Sequence, residues 1–101
     1  MNDESFLNDY FDDSIRILSQ KKNFKDLISA KDMILATKSA SKKLIFAGNG
    51  ASAAISNHAS LDFTKQAKVR SVNFNESALL TSFSNDFGYH KWLEKAVEFY
   101  G

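Results

Sequence analysis

Apolar side chains recur at mostly three- and four-residue spacing through the first part of the chain, and the pattern then changes character. Between about 4 and 20, Phe6, Leu7, Tyr10, Phe11, Ile15, Ile17 and Leu18 predict an amphipathic helix. Asp3 and Glu4 stand near its start, where the helix dipole favours negative charge. The polar run Gln20-Lys21-Lys22-Asn23 predicts a break. A second helix is expected over about 24–39, with Phe24, Leu27, Ile28, Met33 and Ile34 as its apolar positions. Ser39-Ala40-Ser41-Lys42-Lys43 then reads as a short polar connector.

Leu44-Ile45-Phe46-Ala47 is apolar on successive residues, the mark of a parallel strand covered on both faces, and Gly48-Asn49-Gly50 ends it. Residues 52 to about 66 contain no Gly or Pro and predict a helix. An alternating strand fits Arg70-Ser71-Val72-Asn73-Phe74, and a short helix fits 77–83. Asn85-Asp86-Phe87-Gly88 reads as a turn. A last helix fits 89–99, with Trp92, Leu93, Val97 and Phe99 on an apolar stripe. The class is therefore α/β, and two strands joined through a helix imply a right-handed parallel unit. Two parallel strands are fewer than a stable sheet normally has. The expectation is a single domain over 1–101, incomplete at its carboxyl end: a helical amino-terminal arm, 1–40, and the first part of a parallel α/β unit, 41–101. A small protein completed by oligomerisation is the alternative.

Composition narrows the function classes. Of 101 residues, 44% are hydrophobic, enough to form a core. Thirteen cations against twelve carboxylates give a net charge of +1, without the basic surplus usual in a nucleic-acid binder. The absence of Cys excludes disulfides, thiolate metal sites and a cysteine nucleophile. Met1-Asn2-Asp3-Glu4 lacks the basic and apolar regions of a secretory signal, and no apolar run approaches the length of a membrane span. A cytoplasmic protein without nucleic-acid or membrane partners is expected.

Two features carry candidate chemistry. The first is strand, then Gly48-Asn49-Gly50-Ala51-Ser52, then helix. Glycine allows positive φ and close approach by a ligand, and a helix amino terminus presents free N–H groups to an anion or a hydroxyl-rich ligand. Ser52 is placed to cap the helix or donate to a ligand. No Gly-Lys-Ser/Thr follows, so the loop is not a P-loop, and the third glycine of the dinucleotide fingerprint is missing, so no nucleotide cofactor is expected. A tight turn with a serine cap and a ligand loop read equally well. The second feature is His58 and Asp62, four apart on one helix face, with Gln66 one step further and Ile55 and Ala59 flanking. Such a pair can ligate a divalent ion, or the carboxylate can move protons while His orients it. On its own it reads first as an ordinary, partly sheltered helix ion pair. His90 reads as an exposed helix-start residue. Lys65, Lys68 and Arg70 form a small basic group, either a solvated helix end or a holder of substrate phosphate.

Taken together, Phe46-Ala47-Gly48-Asn49-Gly50-Ala51-Ser52-Ala53-Ala54, then His58 and Asp62, then Asn85-Asp86-Phe87-Gly88-Tyr89, resemble the sugar isomerase (SIS) domain family, and within it the phosphoheptose isomerases. In that family a strand ends in Gly-Asn-Gly-Gly-Ser and the next helix carries a His with an acid four residues later. The phrase Asn-Asp-Phe/Tyr-Gly-Phe/Tyr follows downstream. The resemblance spans essentially the whole chain, including the two amino-terminal helices. It implies a three-layer α/β/α fold with a parallel sheet of five strands, of which this chain would hold the amino-terminal part, usually assembled as a tetramer. It implies aldose–ketose isomerisation of a phosphorylated sugar, sedoheptulose 7-phosphate to D-glycero-D-manno-heptose 7-phosphate through an enediol, towards heptoses of surface polysaccharide such as lipopolysaccharide. By position, Gly48, Asn49, Gly50 and Ser52 would line the sugar-phosphate pocket. Asp62 falls at the family's glutamate base, and His58 and Asp62 fall where some members hold zinc. Glu76 falls at a family aspartate on the pocket edge, and Asn85 and Asp86 stand in a phrase that shapes pocket or subunit contact.

The chain also departs from the family pattern. Asp62 is one methylene shorter than the family glutamate, and misplacing a base by about 1 Å can cost on the order of 100-fold. Ala51 replaces a glycine and Gln66 an arginine. The family's serine-rich phosphate loop and late histidine have no counterpart up to Gly101, so residues 1–101 alone are expected to be inactive. These departures keep a second reading open: a non-catalytic SIS-type protein that binds phosphosugar or another protein.

Overall fold

A computed structural model describes residues 2–101, which fall into two compact units, Met1–Asp32 and Met33–Gly101. The first unit contains α1 (Asp3–Leu18) and the start of α2 (Phe24–Ser39). Asn2 caps α1: its side-chain oxygen accepts from Ser5 N–H at 2.8 Å, and Asp3 and Glu4 fill the first turn. The helix ends at Leu18, slightly short of the expected limit, where Ser19 N–H closes on the Ile15 carbonyl. Its apolar residues, from Phe6 to Leu18, are all exposed.

In the second unit α2 ends in a Schellman turn. Ser41 takes the left-handed conformation, φ 55°, its N–H bonds the Lys38 carbonyl at 3.0 Å, and Lys42 N–H reaches back to Thr37 at 3.0 Å. The chain then enters β1 (Leu44–Phe46), crosses through α3 (Ala51–Lys65) and returns as β2 (Ser71–Asn73). The strands pair in parallel, with Leu44 opposite Ser71 and Phe46 opposite Asn73. The remainder is α4 (Ser77–Phe87), a 3-10 turn over Tyr89–Lys91, and α5 (Trp92–Tyr100).

Alternation along the strands sorts the helices into layers. Ile45 and Val72 face a core of Phe74, Trp92 and Ala96, completed by Leu79, Leu80, Phe83 and Leu93 from α4 and α5. The other face meets α3, where Phe46 lies against Phe63 with ring centroids 5.2 Å apart and Asn73 donates to the buried Ser60 hydroxyl at 2.8 Å. A helix layer therefore covers each face of a two-stranded sheet.

Two expected elements differ. The helix expected over 77–83 continues to Phe87, so Asn85, Asp86 and Phe87 form its last turn and Gly88 alone leaves it, at φ 91°. The extension is held by Phe87 packing edge-on against Phe83 one turn earlier, centroids 5.8 Å apart. In the last helix the buried residues are Trp92 and Ala96, whereas Val97 and Phe99 are exposed. Ala96 has no apolar bulk to announce it, but its small side chain is what lets α5 approach the core. No helix is long and apolar enough to cross a membrane among the described residues.

Candidate functional site

The chain leaves β1 at its carboxyl end, the edge at which open α/β sheets bind ligands. The two glycines of the loop serve different ends. Gly50 takes φ 57°, ψ −126°, a conformation that L side chains rarely adopt. At Gly48 a Cβ would stand 2.5 Å from the Ser52 carbonyl carbon, so only a hydrogen fits against the first turn of α3. The helix begins at Ala51, which is not among the residues with positive φ, so its methyl group is carried without backbone strain.

Ser52 does not cap this helix. Gly50 occupies the cap position without a side-chain bond, and Ser52 lies within the first turn, its N–H bonded to the Asn49 carbonyl at 3.0 Å. The helix starts one residue earlier than the sequence suggests, which places Ser52 inside the first turn, past the position from which a side chain accepts from the first-turn N–H groups. Ser52 is exposed, and its hydroxyl has no protein partner among the described residues.

A cleft of about 310 Å³ opens at this edge, lined by Ala47, Gly48, Asn49, Tyr89, His90, Trp92 and Leu93. Glycine loop and downstream phrase thus meet, joined directly where the Tyr89 hydroxyl donates to Asn49 Oδ1 at 3.0 Å. Sequence reasoning had Tyr89 only as the end of the downstream phrase and gave His90 no part in a site. His90 is exposed as expected, but it forms a wall of the cleft and its ring packs beneath Gly88. The one available signal was that a glycine precedes the Tyr-His pair and turns the chain back towards β1. Asn85 and Asp86 are exposed in the last turn of α4, bonded to each other at 3.3 Å, and are not among the residues lining the cleft.

Glu76 caps α4, its two carboxylate oxygens accepting from Ala78 N–H at 3.1 Å and Leu79 N–H at 3.0 Å. Those bonds favour the charged form and hold its carboxyl below the usual glutamate range.

His58 and Asp62 meet as their spacing requires, with Nε2 of His58 3.1 Å from Oδ2 of Asp62. The expected shelter is absent for the imidazole: the His58 side chain is 73% exposed and that of Asp62 38%. Flanking Ile55 is itself exposed, because α3 turns Ser56, Ser60 and Phe63 towards the sheet and this face outward. Asp62 has further partners in Gln66, which donates to Oδ1 at 3.3 Å, and Lys65, 3.7 Å away. The pair lines a separate open hollow with Ala54, Ile55, Ala59 and Phe63, and no residue is common to it and the glycine-loop cleft. A zinc site needs three or four donors, and no cluster of three potential ligands occurs among the described residues. These two side chains do not fit a metal by themselves.

Over 92 residues the chain is 28% identical to a Clostridium acetobutylicum protein named phosphoheptose isomerase, an alignment covering 85% of this chain and 47% of that protein. The chain thus spans about half the length of the relative it matches. No family model matches it. No solved structure matches it significantly.

Proposed function

We propose that this chain belongs to a sugar-phosphate isomerase that interconverts sedoheptulose 7-phosphate and D-glycero-D-manno-heptose 7-phosphate. The observation that carries the reading is the joining of Asn49 to Tyr89 across one cleft, which unites the two most characteristic motifs at the ligand-binding edge. It is supported by the similarity to a phosphoheptose isomerase. In this reading Gly48, Asn49, Gly50 and Ser52 hold the sugar phosphate with backbone N–H groups, carboxamide and hydroxyl. Asp62 is the base. It removes the proton from the hydroxyl-bearing carbon beside the ketose carbonyl while the carbonyl oxygen gains a proton to give an enediol; the hydroxyl on that first carbon then gives up its proton as the carbon becomes the aldehyde, and Asp62 returns its proton to the former carbonyl carbon. His58 orients the carboxylate. Because Asp62 lies outside the glycine-loop cleft, the complete site draws on a further part of the polypeptide or a second copy of it, in keeping with a homotetramer in the cytoplasm.

The engagement of Asp62 by His58, Gln66 and Lys65 favours a second reading, a non-catalytic phosphosugar-binding or protein-binding module. Incubating the complete protein that carries this chain with sedoheptulose 7-phosphate, with and without zinc, and following the sugar by NMR separates the two. The isomerase reading expects conversion that Asp62→Asn abolishes while the circular dichroism spectrum is unchanged. Binding without turnover, measured by calorimetry, supports the phosphosugar module. Absence of any sugar binding overturns both sugar readings and leaves the protein-binding one.

A further inference from the structure

The near-neutral total conceals a strong segregation of charge. Between positions 33 and 75 stand six cations, Lys38, Lys42, Lys43, Lys65, Lys68 and Arg70, against the single carboxylate of Asp62. The fold draws them together. Lys38 lies in the last turn of α2 and Lys65 in the last turn of α3, Lys42 and Lys43 precede β1, and Lys68 and Arg70 precede β2. Because the strands are parallel, both approaches reach the same edge of the sheet, the amino edge, opposite the glycine loop. The basic group Lys65, Lys68 and Arg70 therefore cannot serve a phosphate held at Gly48–Ser52.

Of the six, only Lys65 has a carboxylate partner within reach, Asp62 at 3.7 Å. Lys38, Lys42, Lys43, Lys68 and Arg70 have none among the described residues. Two helix carboxyl termini also end here, but together they supply roughly one negative charge. They account for the bonds from Lys38 Nζ to the Ala67 carbonyl at 3.0 Å and from Lys68 Nζ to the Lys65 carbonyl at 2.6 Å, and leave most of the positive charge unopposed. Arg70 is steadied by one bond to the Ser41 carbonyl at 3.1 Å, which leaves the rest of its guanidinium fork free. Lys42 spends its ammonium on no partner among the described residues.

These groups surround a hollow of about 230 Å³ lined by Lys38, Ser41, Lys42, Lys68 and Arg70. We propose that this hollow is a second anion site that takes a small ligand carrying a diphosphate group. Size and charge both select that class. The space is below the roughly 300–1,000 Å³ of sites for larger ligands. One phosphoryl group carries about −1.5 to −2 at neutral pH, so two are needed to match the four cations of the lining. The site is independent of the isomerase reading, since it shares no residue with either hollow described above.

The test is titration of the full chain with inorganic pyrophosphate at physiological ionic strength, followed by amide NMR and calorimetry, with orthophosphate and a nucleoside diphosphate in parallel. The expected result is saturable shifts at Ser41, Lys42, Lys68 and Arg70 and binding at least about tenfold tighter than orthophosphate, with the Gly48–Ser52 amides unmoved. A tighter nucleoside diphosphate supports the site and identifies the diphosphate as nucleotide-borne; equal affinity supports it and identifies the diphosphate itself. Lys42→Gln removes a cation whose ammonium makes no bond among the described residues, so it keeps the melting temperature and weakens pyrophosphate about tenfold. Affinity unchanged in Lys42→Gln, shifts reproduced by chloride at equal ionic strength, or association with RNA homopolymer but not with pyrophosphate would each overturn the proposal.

Discussion

Replacing Gly48 by alanine tests whether the glycine loop is built by close approach or by backbone conformation. An added Cβ would lie 2.5 Å from both the carbonyl carbon and the oxygen of Ser52, and 2.8 Å from its Cβ. Real Cβ atoms essentially never come within 3.0 Å of such neighbours, and two of the three are backbone atoms that cannot rotate aside. Loop and first helical turn must therefore separate, straining the bond from Ser52 N–H to the Asn49 carbonyl, now 3.0 Å. Overpacking of this kind costs about 1–3 kcal/mol. At about 4–8 °C per kcal/mol for a domain of this size, Gly48→Ala should lower the melting temperature by about 4–24 °C. Thermal and urea denaturation followed by far-ultraviolet circular dichroism measure it, and the Ser52 amide resonance should shift. Gly50→Ala is the control for conformation: its Cβ would meet nothing within 4 Å, and its penalty comes from φ 57° alone. A melting temperature for Gly48→Ala equal to that of the unaltered chain, with the Ser52 resonance in place, would refute the close-approach argument.

Other outcomes follow from single positions. The cap made by Glu76 depresses its folded-state pKa, so its contribution is present above the ordinary glutamate range and is lost as pH falls through the lower folded value; Glu76→Gln should flatten the acid limb of a stability–pH profile. Lys95 is raised by its hydrogen bond to Glu98 and by the charge of that carboxylate, so its contribution holds below the ordinary lysine value and fades as pH rises through the higher folded value; Lys95→Gln should remove that alkaline dependence. Ser41 holds a left-handed conformation, φ 55°, at the end of α2, and Ser41→Gly should stabilise the chain by up to about 1 kcal/mol in urea denaturation. Tyr89→Phe removes the hydroxyl that bonds Asn49, and should shift the Asn49 side-chain amide resonance with a stability loss of about 0.5–1.5 kcal/mol.

Much of this molecule was legible in its order of residues because the relevant forces act locally. Spacing of apolar positions predicted α1, α2 and both strands to within a few residues, α2 at its observed limits, and the absence of Gly and Pro predicted α3. The four-residue separation of His58 and Asp62 sufficed to bring them together, since helix geometry is the same whatever surrounds it. Where neighbours distant in sequence decide the outcome, local pattern fell short. Asn85-Asp86-Phe87 has turn-forming composition but stays helical where Phe87 packs on Phe99 of α5 as well as on Phe83. Ala96 is buried and Phe99 exposed because the direction from which the sheet and α4 approach α5 determines its inner face. His58 is exposed because α3 rests on the sheet through Ser56, Ser60 and Phe63, a choice invisible in the character of the exposed Ile55. The meeting of Asn49 with Tyr89, and the assembly of Lys38, Lys42, Lys68 and Arg70 about one hollow, likewise depend on parallel pairing of two short strands. The sequence by itself determined the helices, the strands and the glycine turn, through spacing and backbone preference. Only the tertiary structure decided which of their side chains share a site, because parallel pairing gathers both strand ends to one edge and both strand starts to the other.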